Sequence, residues 1–276
     1  MSEFGVLSDE KLRELVVQRS WYHTIELRPG VVTPGWFDLR PLVPTLPIPA
    51  SLAGRRALDV GTFEGFWALQ LEARGAQVTA IDILDPNAWD WPYGSDERVV
   101  AALEERKQAG SGFELVKDVL QSAVQRVELS VYDLDVEVVG SFDFVYLGSL
   151  LMHLRDPVRA LERVRSVLAP GGRLLLVDNI DVDLSIAHPR RAVAHFDGDG
   201  RPWWWRPNLR ALARLVQAAG FEIEQGPTRV YMQMGSGHDP LARLRPSTFM
   251  DPEGRRQIVM RYRGGDPHAW LLARAH

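Results

Sequence analysis

A chain of 276 residues, 46% hydrophobic and 25% charged, has room for one large α/β domain or two small ones and can bury a sizeable core. The absence of cysteine excludes disulfides, thiolate metal sites and thiol nucleophiles, and a net charge of -4 argues against a strongly basic nucleic-acid binder. No run approaches the roughly 18 apolar residues of a membrane span, and the start, MSEFGVLSDEKLREL, has neither part of a signal peptide, so a cytoplasmic location with no membrane partner is expected.

In chain order, Ser8 to Arg19 reads as an amphipathic helix with Leu12, Leu15 and Val16 on one face and Ser8 or Asp9 as its cap. Six prolines between Pro29 and Pro49 then exclude a regular helix. Residues 1–54 are expected to form this helix and a lid. From Arg55 the pattern becomes strand 57–61, helix 65–74, strand 77–82, helix 96–109, helix 112–122, strand 126–132 and strand 142–147. It continues with helix 157–168, strand 172–178, helix 208–219, strand 221–231 and strand 268–274. Strands alternating with helices predict a parallel α/β sheet covered on both faces. The last two strands show no clear helical crossover between them, which predicts one antiparallel strand at the end. Residues 55–276 are read as one domain with inserts at about 181–206 and 232–266. From residue 229 onward eight Arg face four Asp or Glu, so this tail is +4 and the remainder -8.

Ligands of open parallel sheets bind beyond the carboxyl ends of the strands, where strand order reverses. The first predicted strand ends in LDVGTFEGF, with Asp59, Gly61 and Gly65. Its spacing is D-x-G-x-x-x-G, not the G-x-G-x-x-G of dinucleotide binders, and Phe63 and Glu64 lie between the glycines. A ring and a carboxylate suit poorly a diphosphate but suit a ligand with a cationic amino acid end. The next strand ends in AIDIL, where Asp82 can accept bonds from two ribose hydroxyls. Asp133 and Leu134, in VYDLD, could face an adenine, and Gly148, in YLGSLLMHL, permits close backbone approach.

These segments, with FDFVYLGSLLMHLRDPVRALERVRSVLAPGGRLLLVDNI and NLRALARLVQAAGFEI, resemble in order the motifs of class I S-adenosylmethionine-dependent methyltransferases. The resemblance covers about residue 55 to the end. It implies a doubly wound, seven-stranded, mostly parallel Rossmann-like sheet with an antiparallel last strand, and S-adenosyl-L-methionine as cofactor. By it, Asp59, Gly61, Thr62, Phe63, Gly65, Asp82, Ile83, Asp133, Leu134 and Gly148 form the cofactor site. Gly61 and Gly65 would line the methionine moiety, while Phe63 replaces the family's middle glycine. A narrower resemblance, in WYHTIEL, TPGWFDL, GTFEGFWA and WWWRPN, is to the tRNA wobble-uridine methyltransferase-like group that uses a carboxylated cofactor. That group has a lysine ahead of the first strand and a tyrosine before the His of HLRDP. Here residues 21–56 hold no lysine and the tyrosine position is Met152, so ordinary S-adenosylmethionine is expected.

Methyl transfer from a sulfonium asks the protein to position an acceptor, exclude water and accept a proton. His153, after the fourth strand of the domain, and His23 are the candidate catalytic residues. Each has an alternative: for His153 a buried ring bonded to backbone at a helix start, for His23 packing within the lid. Trp21, Tyr22, Trp36, Met152, His195 and Trp204 are the candidate acceptor contacts. Of the three tryptophans at 203–205, not all can face inward, so at least one is expected to border the pocket. VDNI after the fifth strand resembles two ligands of metal-dependent catechol-type methyltransferases, but YLGSLL lacks the partner aspartate. DGDG at 197–200 begins like a calcium loop, yet its fifth position is Arg201 and no Glu closes it. No metal is expected. The expected function is methylation of an O or N of a small-molecule acceptor. tRNA methylation stands second, and cofactor binding without catalysis third.

Overall fold

The computed structural model describes residues 4–107, 110–198, 201–241, 243–250 and 252–275. The N-terminal part contains α1 (Asp9–Val17), β1 (Trp21–His23), β2 (Glu26–Arg28), β3 (Val31–Val32) and β4 (Gly35–Asp38). The alternating part follows: β5 (Arg56–Val60), α2 (Phe66–Glu72), β6 (Gln77–Asp82), α3 (Glu97–Lys107), α4 (Ser111–Leu120), β7 (Gln125–Glu128), α5 (Val136–Val139), β8 (Phe142–Gly148), α6 (Pro157–Ser166) and β9 (Leu168–Asn179). The remainder is α7 (Val182–Ala187), β10 (Ala194–Phe196), β11 (Trp205–Pro207), α8 (Leu209–Ala218), β12 (Phe221–Met234), α9 (Pro252–Arg263) and β13 (Gly265–Ala275).

Among the described residues the main sheet has nine strands, in the order β1-β4-β12-β13-β9-β8-β5-β6-β7. The α/β class and the antiparallel last strand are as expected: β13 runs antiparallel to both β12 and β9, and β5, β6, β7, β8 and β9 are parallel. The expected count of seven is corrected to nine in a mixed sheet. β12 is 14 residues long, and its far end pairs Gln233 with Asp38 and Met234 with Phe37, so β4, and β1 beside it, extend the sheet. These added strands are only three and four residues long, too short to show a period in the sequence. The last two strands are also separated by a helix after all, α9, whose sequence PEGRRQIVMRYR carries too few apolar residues to announce it.

One face of the sheet is covered by α2 and α4, through Phe66, Trp67, Leu71, Phe113 and Leu115, together with Leu12, Trp21 and Leu27 of the N-terminal part. The other is covered by α6 and α8, through Leu161, Val164, Leu212 and Val216. Strand order reverses between β5 and β8, and the carboxyl ends of these strands border a large cavity.

Candidate functional site

The turn after β5 is built around left-handed backbone. Gly61 and Gly65 have φ of 79° and 89°, and Phe63, between them, adopts 49°. A residue with a Cβ is strained there, and surrounding contacts hold it. Phe63 N–H donates to Asp82 Oδ2 at 3.0 Å, and its ring stacks on Tyr22 with centroids 4.4 Å apart. Asp59 does not face the cavity. It is buried, accepts from Thr62 Oγ1 at 2.6 Å and Ala68 N at 3.1 Å, and so ties the turn to α2. Burial raises its pKa to about 6. Glu64, also buried, accepts from Tyr22 N at 2.8 Å and meets His23 Nδ1 at 2.8 Å, which fastens the N-terminal part to the turn.

The cavity, about 800 Å³, reaches from this turn to the far ends of β12 and β13. Gly61, Phe63, Asp82, Ile83 and Gly148 of the expected cofactor set line it. Thr62 and Gly65 support the turn: Gly65 N bonds Thr62 O, and a Cβ on Gly65 would lie 2.9 Å from the Phe113 ring. A Cβ on Gly148 would meet the Tyr146 hydroxyl at 2.6 Å, so packing as well as close approach demands glycine. Asp133 is exposed and Leu134 fully buried; neither lines the cavity, whereas Ser130, Val131 and Tyr132 do. The backbone leaves β7 at Glu128, earlier than the expected 132, and turns through a short 3-10 segment at Val131–Asp133, which changes which side chains face the cavity.

Asp82 is engaged on both oxygens. Besides Phe63 N–H, it accepts from Ile83 N at 2.9 Å and from Lys107 Nζ at 2.5 Å. Lys107 also donates to Ile83 O at 2.8 Å and sits over the rings of Phe63 and Trp89. Its position in the last turn of α3 gave no sequence signal of such a reach. Beside it, Arg106 stacks over Trp36 at 4.1 Å and lines the cavity.

Of the catalytic candidates, both histidines line the cavity. His153 Nδ1 donates to Pro202 O at 2.6 Å, and burial lowers its pKa to about 4, which keeps the ring neutral near pH 7. His23 is buried, paired with Glu64 and stacked on Phe66. Among the acceptor candidates, Tyr22, Trp36 and Met152 line the cavity. Trp21 lies in the core, its Nε1 donating to Val16 O. His195 is on the β10–β11 hairpin, 3.6 Å from Asp181, away from the cavity lining. Of the three tryptophans, Trp203 borders the cavity, between Arg201 and Arg256, while Trp204 donates to Met152 O and Asp90 O and Trp205 to Arg155 O.

VDNI is committed elsewhere. Asp178 accepts from the backbone N–H of Leu150 and Leu151, and Asn179 bonds Asp266 and Pro267 O. Among the described residues no group of three or more His, Cys, Asp or Glu could hold a metal ion. Residues 199 and 200 of DGDG lie outside the described residues. No described helix is long and apolar enough to cross a membrane.

Sequence periodicity does not single out His268. It lies within β13 and is buried at the cavity with Nε2 3.0 Å from Ser149 Oγ. The available signal was a histidine and an aspartate, GDPHAW, just ahead of the apolar run AWLLA.

The methyltransferase-domain family matches residues 38–225, more than half of the chain. The ubiquinone biosynthesis O-methyltransferase of Xanthomonas euvesicatoria pv. vesicatoria is 38% identical over 129 residues, 45% of this chain and 43% of that protein. That of Marinobacter nauticus is 29% identical over 164 residues, 59% of this chain and 58% of that protein. The chain thus matches only about half the length of these relatives. The crystal structure of the N-terminal domain of EvdMO1 with SAH bound shares the fold, with a TM-score of 0.53, 16% identity and 98% of each chain covered. With its glycine turn and acidic strand end inside the matched segment and the reversed last strand following it, the chain belongs to the methyltransferase-domain family, as a class I S-adenosylmethionine-dependent member.

Proposed function

We propose that the protein uses S-adenosyl-L-methionine to methylate an oxygen or nitrogen of a small-molecule acceptor. The observation that carries this reading is the continuity of the cavity: one space of about 800 Å³ joins Gly61, Asp82 and Gly148 to Trp36, Trp203 and His268. Such a volume is in the range of small-molecule sites and has room for a cofactor with an acceptor beside it. Its chemistry fits the cofactor. Gly61, favoured by its φ of 79°, presents no Cβ to the cavity, and Asp82 supplies a carboxylate at the strand end where ribose hydroxyls need an acceptor. Ile83 and Ser130 to Tyr132 offer a wall for the adenine. The bound cofactor supplies the electrophilic methyl group; the chain holds both partners and excludes water.

The names of the relatives favour an oxygen acceptor, since those enzymes are O-methyltransferases of ubiquinone biosynthesis. Tyr22, His23, Trp36 and Phe37 of the N-terminal part, and residues such as Trp203, His238 and Arg256 of the inserts at about 181–206 and 232–266, contribute cavity walls, which supports reading the N-terminal part as a lid and the inserts as the acceptor pocket; a cytoplasmic location is part of the same reading. Calorimetry with S-adenosylhomocysteine tests the cofactor half: micromolar binding lost in Asp82→Ala is expected, and absence of binding overturns it. Mass spectrometry of a cell extract incubated with protein and isotopically labelled cofactor tests the acceptor half. The narrower kinship with wobble-uridine methyltransferases has the WWWRPN motif and the basic tail in its favour. It requires tRNA binding that weakens steeply with salt, and salt-insensitive or absent binding removes it. A stable partner in a pull-down, with no product from any acceptor, would instead indicate a non-catalytic binding protein.

A further inference from the structure

Beyond the cofactor half of the cavity, three side chains meet in line. Ser149 follows Gly148 directly and has a φ of 50°, left-handed backbone that a serine adopts only under constraint. Its N–H donates to Val177 O at 2.8 Å, and its Oγ lies 3.0 Å from His268 Nε2 and 3.4 Å from Met232 Sδ. On the other side of the ring, His268 Nδ1 faces two oxygens of Asp266: the backbone carbonyl at 3.3 Å and Oδ2 at 3.7 Å. The carboxylate of Asp266 is held in turn by Arg256 Nη2 at 2.6 Å and Asn179 Nδ2 at 3.4 Å.

These neighbours set the tautomer. Nδ1 has acceptors before it and so carries the hydrogen of the neutral ring; Nε2 is then bare and accepts from Ser149. Ser149, His268, Asp266 and Arg256 all line the cavity, although His268 and Asp266 are each only 2% exposed. Among charged and titratable groups, Asp178 on β9 interacts electrostatically with His268, and Tyr22 on β1 with Asp178 and Asp266. The Asp266 and Asp178 carboxylates thus stand near the ring, and Arg256 pairs with the first of them. His153 and His23 lack this arrangement, because the first spends Nδ1 on a carbonyl with no acid behind it and the second faces Glu64 across a packed ring stack.

We propose that Ser149, His268 and Asp266 form a proton relay for a hydroxyl acceptor, so that the acceptor is a phenol or similarly weakly acidic hydroxyl. This rests on the methyltransferase reading above. The acceptor O–H gives its proton to Ser149 Oγ as the serine proton passes to His268 Nε2. The acceptor oxygen forms its bond to the methyl carbon while the carbon–sulfur bond breaks onto sulfur. The positive charge lost at the sulfonium reappears as the imidazolium, whose proton then leaves to solvent. Asp266 is a positioning residue, holding the ring and its tautomer.

The test compares catechol, neutral at pH 7, with 4-nitrocatechol, already ionised there, using labelled S-adenosylmethionine. For His268→Gln the relay predicts a loss of about 100-fold in kcat/KM on catechol, the scale of general-base catalysis, but less than about fivefold on 4-nitrocatechol. Ser149→Ala keeps the same backbone demand and should lose roughly tenfold on catechol, again with little change on the ionised probe. Equal losses on both phenols would overturn the relay, because a structural role ignores acceptor acidity. A wild-type protein that binds S-adenosylhomocysteine but methylates neither phenol overturns the hydroxyl class. One that fails to bind S-adenosylhomocysteine overturns the methyltransferase reading itself.

Discussion

Asp82 meets its expected ligand already largely engaged, since the Lys107 ammonium and two backbone N–H groups take three of the roughly four acceptor positions of its carboxylate. A charge-assisted bond of this kind is worth about 1.5–3 kcal/mol, so the lysine competes with the cofactor unless it moves. Lys107→Met should therefore tighten S-adenosylhomocysteine binding about tenfold, roughly 1.4 kcal/mol, as read by calorimetry, whereas Asp82→Ala should weaken it. A Lys107→Met variant that loses binding would show the ammonium to be part of the seat. Two other buried groups couple stability to pH with opposite signs. Burial raises Asp59 to about 6, above its unfolded value near 3.8, so its contribution is full below the unfolded pKa and fades as pH rises through 6. Burial lowers His153 to about 4, below its unfolded 6.5, so its contribution is present above 6.5 and fades as pH falls through 4. Between pH 4 and 6 the two slopes nearly cancel. Asp59→Asn should unmask a loss of stability on acidification and His153→Gln a gain, each of roughly 2–3 kcal/mol across that window. Denaturant titrations at pH 4.5 and 6.5 measure both; two variants with parallel pH profiles would refute the assignment.

At the scale of elements, the join between β4 and β12 depends on glycines. A Cβ on Gly35 would sit 2.2 Å from the backbone of His23 and Thr24, and one on Gly235 2.1 Å from Gly35 O. Three strands can approach there only without side chains. Gly35→Ala should push β1 and β4 off the sheet edge, moving Tyr22, Trp36 and Phe37 out of the cavity wall, while β5 to β9 keep their pairing. Hydrogen exchange should accelerate at Thr24, whose N–H bonds Phe37 O, and at Gly235, whose N–H bonds Trp36 O, with β8 unchanged; uniform protection would contradict this. The same join marks where the sequence stops being informative. Strands such as β5, RALDV, and β8, FDFVYLG, are legible as apolar runs with turn residues at their ends, whereas β7, QRVE, is largely polar and its end at Glu128 was not. β1 and β4 are not, because they are three and four residues long and β4, which β1 pairs with, joins the sheet through residues about 200 positions away in β12. The site divides likewise. Gly61, Asp82 and Gly148 could be read from strand ends, which the topology places together. Lys107, Ser149 and His268 could not, since their roles depend on how α3 and β13 bring side chains from distant segments into one cavity.

At the scale of the molecule, the match to the methyltransferase domain begins at residue 38, which could be taken for the start of an independently folding unit. The packing contradicts that boundary. Leu12, Val16, Trp21, Ile25, Leu27, Val31 and Phe37 are all buried in the same cluster as Phe66, Trp67 and Phe113. Without the first 37 residues, the part of this cluster that α2 and α4 leave to the N-terminal segment would meet water, and the Glu64 carboxylate would lose both Tyr22 N–H and His23 while remaining at the turn that should hold the cofactor. Each large side chain withdrawn from such a cluster removes about 1.5–3 kcal/mol of burial, against a typical net stability of about 5–15 kcal/mol. A chain starting at residue 38 should therefore show no cooperative thermal transition and should expose apolar surface to a hydrophobic dye, whereas the full chain melts in one step. If the truncated chain instead melts cooperatively and binds S-adenosylhomocysteine, residues 1–37 are an appended lid and not part of the core. The buried side chains require the first outcome: this segment closes the site because it completes the fold.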